Sequence, residues 1–142
     1  MGSVDRTTFD SLYASLKHGR DAAVSEFLED GGDPNLRDSE QGSTLLHAAA
    51  YLGRRVVVEA LLAKGAEVDA LSAPDGFTPL AVAAHTAHIQ SVRLLLEAGA
   101  SLDCRPLGVP LLESLKYAQR PSRRVREMLS EAIASQDKDR PE

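Results

Sequence analysis

The 142-residue chain has one cysteine, no tryptophan, three tyrosines and three phenylalanines. A lone Cys104 cannot close an intramolecular disulfide, so nothing calls for an oxidising compartment. Aromatics are only 4% of the chain, and alanine and leucine supply most of the apolar 43%, a composition that suits thin, closely packed helices better than one bulky core. No apolar run approaches the roughly 18 residues that cross a bilayer, and the N-terminus has no signal-peptide segment. Arg6 stands where a myristoylation motif starting at Met1-Gly2 needs Ser or Thr. A soluble, unanchored chain of the cytoplasm or nucleus is expected. The formal charge of −5 and pI near 5.4 disfavour general binding to a phosphate backbone, so no nucleic-acid and no membrane partner is expected.

Catalytic signatures are missing too. There is no G-x-S-x-G, H-E-x-x-H, Gly-rich phosphate loop or Cys/His cluster. His85 and His88, at i and i+3, can share a helical face, but third and fourth ligands are missing, so no metal site and no cofactor is expected. His18 and His47 also fall at definable repeat positions and read as structural or solvated. Arg105 beside Cys104 would favour a reactive thiolate, whereas burial in a loop would leave the thiol inert. The expected class is non-enzymatic.

What is present is a repeat. Residues 42–69 read GSTLLHAAAYLGRRVVVEALLAKGAEVD, and from residue 75 the chain continues DGFTPLAVAAHTAHIQSVRLLLEAGASLD. Gly42 pairs with Gly76, Thr44 with Thr78, Gly65 with Gly99 and Asp69 with Asp103, each at a step of 34. A fixed period of this length marks a stack of supersecondary units, with room for four and none for a separate catalytic domain. The words also resemble the ankyrin repeat, with its D-G-x-T-P-L-H-x-A-A opening and V-x-x-L-L-x-x-G-A-x-V-N close. Asp75, Gly76, Thr78, Pro79, Leu80, Ala83 and Ala84 carry the opening in one unit, and Gly42, Thr44, Leu46, His47, Ala49 and Ala50 in the other. The resemblance implies an all-α repeat solenoid of helix-turn-helix units with short β-hairpin fingers.

The outer units are degenerate. Leu12, Ala14, Gly19 and Gly31 each precede a marker of the second unit by 34, and Phe9, Leu12 and Leu16, then Val24, Phe27 and Leu28, predict two amphipathic helices around Gly19. Thr44 and Thr78 are positioned to cap the following helices, and Pro79 prearranges the first turn. The resemblance gives His47 a tethering role that Ala81 cannot repeat. After Asp103 the step shortens, from Pro79 to Pro110, to 31, so the last finger is expected to be truncated or absent. One domain over 9–135 is expected, with units at about 9–41, 42–75, 76–106 and 107–135, an N-terminal extension at 1–8 to which the sequence assigns no structure, and a disordered tail at 136–142.

In ankyrin proteins the partner meets the finger tips and the concave face of the inner helices. Carried onto this chain, the outward positions are Lys17, His18, Tyr51, Leu52, His85, Thr86, Lys116 and Tyr117 on the helices and Ser43 and Phe77 beside the turns. Arg37, Ser39, Glu40, Gln41, Leu71, Ala73 and Pro74 fall on the fingers. Tyr51, Phe77 and Tyr117, with Leu52, are either hot-spot anchors or packing between units. Seven acids in residues 21–40 and six bases in residues 105–126 make a charge gradient, which either orients a partner or is two solvated caps. The resemblance and the absence of catalytic motifs point to a protein-binding module, a monomer when free, that acts as an adaptor or as an inhibitor occluding a partner protein's surface. The alternative is an obligate subunit or chaperone-like stabiliser of a permanent complex.

Overall fold

The computed structural model describes residues 2–38, 42–72 and 75–139. Eight α-helices occur among them: α1 (Gly2–Lys17), α2 (Ala22–Glu29), α3 (Leu45–Leu52), α4 (Arg55–Ala63), α5 (Pro79–His85), α6 (Ile89–Glu97), α7 (Leu111–Ser114) and α8 (Arg123–Asp139). They form two layers. In the inner layer α3 packs between α1 and α5, and α5 meets the 3₁₀ turn Leu115–Tyr117 that follows α7; in the outer layer α4 packs between α2 and α6, and α6 meets α8.

The repeated words explain this order. Thr44 and Thr78 are extended, and their hydroxyls accept the amide of the third helical residue, His47 and Ala81, which starts α3 and α5. Gly53 ends α3 in the left-handed conformation (φ 69°), a turn that glycine adopts without a Cβ penalty. Every inner helix turns its aliphatic face to the outer layer, and Leu46, Val57, Val58, Leu61, Leu80, Val92 and Leu95 are fully buried there.

No strand occurs among the described residues. The expected fingers reduce to single antiparallel bridges, Arg37 with Thr44 and Ser72 with Phe77. The tip residues Ser39, Glu40, Gln41, Ala73 and Pro74 lie outside the described residues. The third connector, which leads into the fourth unit, has no such bridge; it folds into a 3₁₀ turn, Pro106–Gly108.

Two ends differ from expectation. Helix α1 begins at Gly2, inside the N-terminal extension 1–8, because no proline or glycine interrupts the chain between Gly2 and Gly19. Helix α8 continues to Asp139, into the tail expected to be disordered, since Pro141 is the first helix breaker beyond Arg123.

Candidate functional site

Short polar contacts join neighbouring units and fix how the inner helices present their other side. The His47 imidazole accepts the Thr44 amide at Nδ1 (3.1 Å), so Nε2 carries the proton and donates to the Phe77 carbonyl of the next unit (2.8 Å). The tethering role implied for His47 is therefore present. Ala81 cannot repeat it, but His85, one turn later, bonds through Nε2 to Ser114 Oγ (2.9 Å), whose hydroxyl donates to the Leu111 carbonyl. His88 Nε2 reaches back to the Tyr51 carbonyl (2.9 Å). Below the fingers, Asn35 Oδ1 accepts the Glu67 amide (2.7 Å) and Asp69 Oδ1 the Ser101 amide (2.8 Å), the same bond one repeat apart.

Burial lowers the pKa of both His47 and His85. At His47 the bond to the Phe77 carbonyl opposes that shift and the Arg37 charge adds to it. His85 and His88 turn to different neighbours rather than to one point. Among the described residues no His, Cys, Asp or Glu group is arranged to hold a metal. Burial also pushes the Cys104 thiol pKa up, against a bond with Thr78. Arg105, a candidate activator of that thiol, points its guanidinium at the Gly108 carbonyl (3.3 Å) instead.

With the helices held in this way, the inner layer and finger bases enclose a groove made of two adjoining cavities. One, of about 420 Å³, is lined by Phe9, Asp10, Tyr13 and Asp38; the other, of about 450 Å³, by Asp75, Phe77, Leu107 and Tyr117; Tyr51, Ser72 and Val82 belong to both. Tyr51 is 43% exposed and Tyr117 61%. Leu107 holds a left-handed backbone (φ 60°) although it is not glycine, while its side chain is exposed at the groove. Such a conformation costs on the order of 1–3 kcal/mol and collects at functional positions.

The structure separates the sequence candidates. Tyr51 and Tyr117 lie on the groove with exposed rings. Phe77 is half-buried and meets the His85 ring edge-on (4.9 Å between centroids), and Leu52 is half-buried against the core. His85 and Thr86, expected to face outward, are buried instead. His85 is occupied by Ser114, and the Thr86 hydroxyl donates to the Val82 carbonyl (2.8 Å), which satisfies the end of its own helix. Arg37 links two fingers, donating to the carbonyls of Gly42 (2.7 Å) and Leu71 (3.1 Å) and facing Glu67. Leu71 is exposed. Lys116 is exposed, faces Glu113 (3.7 Å) and sits 5.1 Å from the Tyr117 ring centre. Glu40 lies outside the described residues.

Tyr13, Val82, Leu107, Asp10 and Asp38 are not among the sequence's candidates, and Asp75 is there only as a repeat marker. Tyr13 was within reach, because it stands 34 before His47. Leu107 was not, because it sits in the connector where the period breaks.

A family model of ankyrin repeats, in three copies, matches residues 12–105. The chain belongs to the ankyrin-repeat family. Ankyrin repeats imply a protein-binding module, a domain that is typically non-catalytic. The matched span stops at the Cys104–Arg105 connector, so the fourth helical pair of this ankyrin stack lies beyond it. A comparison with curated proteins gave no match. No helix among the described residues is long and apolar enough to cross a membrane.

Proposed function

We propose that this ankyrin stack binds one partner protein along the inner groove and acts as an adaptor or as an inhibitor that covers the partner's surface. The observation that carries the reading is the continuity of the two cavities through Tyr51, with exposed Tyr51 and Tyr117 along them. Tyrosine offers a large contact area with few rotamers to freeze, which is why it recurs in binding hot spots. The backbone beneath the groove is set before any partner arrives, by the His47 and His85 bonds between units. Binding there loses little to ordering the site. Exposed apolar side chains are concentrated at this face; Val56 stands apart on α4. That distribution suits a module that exists free and then binds better than a permanent subunit with a wide apolar face.

Photo-crosslinking tests the reading. A benzophenone amino acid placed at Tyr51 or Tyr117 is expected to crosslink the same partner in cells, and the same probe at Val56 is not. A partner captured from Val56 but from neither tyrosine would put the binding face on the outer helices and discard the groove.

A further inference from the structure

The lining of the groove narrows the chemistry of its partner. Asp10, Asp38 and Asp75 line it, and no described lining residue is Lys or Arg. The two lining histidines are the buried, neutral His47 and His85. Of the basic side chains of the last unit, Arg123 and Arg124 lie away from the groove, on α8 in the outer layer, and both face Glu127 (3.1 and 3.7 Å), while Lys116 stands at its Tyr117 end.

The tyrosines add a second, independent observation. Lys17 Nζ lies 5.5 Å from the Tyr13 ring centre and Lys116 Nζ 5.1 Å from that of Tyr117, so the chain supplies its own cation to the tyrosine at each end. Tyr51, shared by both cavities, has no such cation among the described residues, and its ring is exposed. An aromatic face within an acid-lined groove attracts a cation by the ring quadrupole and by the carboxylates together.

Resting on the groove reading above, we infer that the partner presents an extended segment with one Arg or Lys side chain seated over Tyr51, on the side of Asp75. The flanking residues of that segment run towards Tyr13 on one side and Leu107 and Tyr117 on the other. The aspartates select the charge, and the tyrosines supply most of the contact area.

A random peptide library displayed on phage, selected against the full chain, tests this. Arg or Lys is expected to be enriched at one position of the selected peptides. Binding of a synthetic selected peptide should weaken about thirtyfold in Tyr51→Ala and about twofold to fivefold in Asp75→Asn, an exposed loop position. Tyr51→Phe keeps the ring face and should retain binding, which separates loss of the aromatic from loss of the fold. Neutral or acidic peptides that still depend on Tyr51 would overturn the basic partner and leave the groove standing. Peptides indifferent to Tyr51→Ala, or no selected peptide at all, would overturn both.

Discussion

Ser91 is the side chain least at ease in the stack. It stands 34 after Val57, in the same place on the outer helix, and is only 1% exposed, yet its hydroxyl has no hydrogen-bond partner among the described residues. A buried hydroxyl without a partner costs on the order of 1–3 kcal/mol, and valine, larger than serine by one methyl group and present one repeat earlier at Val57, removes that cost. Ser91→Val is therefore expected to raise the unfolding free energy by about 1 kcal/mol in denaturant titration. A loss of stability would mean that the site cannot take the second methyl group. The example also shows what a repeat period makes legible. Val58 with Val92 and Leu61 with Leu95 were readable as core because their spacing recurs, and all four are fully buried. The same register marks Ser91 as an exception only once its burial is known.

Between helices, the contacts follow the chemistry of particular side chains rather than the period. The cap at Thr44 and the tether at His47 were readable from the repeat words, and both are present. The substitute tether from His85 to Ser114 was not. It depends on the shortened third connector bringing Ser114 of α7 to His85 of α5, which no local pattern encodes. These rings make the stack sensitive to acid, in a direction fixed by their environment. Folded His47 and His85 have lowered pKa values, whereas in the unfolded chain histidine titrates near 6.5. Below about pH 6.5 the unfolded chain takes up protons that the folded chain resists, so stability present in full above that value is lost as pH falls towards the folded values. The melting temperature is expected to stay level above about pH 7 and to drop below about pH 6.5. His47→Gln should lower the unfolding free energy at neutral pH by about 1 kcal/mol, through loss of the bond to the Phe77 carbonyl, and should flatten part of the acid drop. An unchanged acid slope in that variant would remove His47 as a source of it.

Along the whole molecule, each unit touches only its neighbours, so stability is the sum of unit and interface contributions, and the ends are free to open before the centre. The architecture was legible because the step of 34 is kept through three units. The groove was legible only in part: Tyr51 and Tyr117 were named, but the burial of His85 and Thr86 and the backbone of Leu107 depend on how unit four docks after a step of 31. That unit is also the shortest joint, since α7 has four residues and the unit's contacts to α5 include the His85–Ser114 bond, the Arg120 amide to the His85 carbonyl (3.0 Å) and the packing of the Leu115–Tyr117 turn. Leu46 and Leu111 are both buried, and truncating either to alanine costs about 2–5 kcal/mol at its own site. The two costs should spread differently. Leu46→Ala lies in α3, between α1 and α5, so its loss is shared by the whole stack and amide exchange should quicken from α1 to α6. In Leu111→Ala the loss falls on the last unit, so exchange should quicken in α7 and α8 while α3 and α4 keep their protection. If Leu111→Ala speeds α3 as much as α7, the four units open as one body, and the groove cannot lose its Tyr117 end while its Tyr51 centre stays folded.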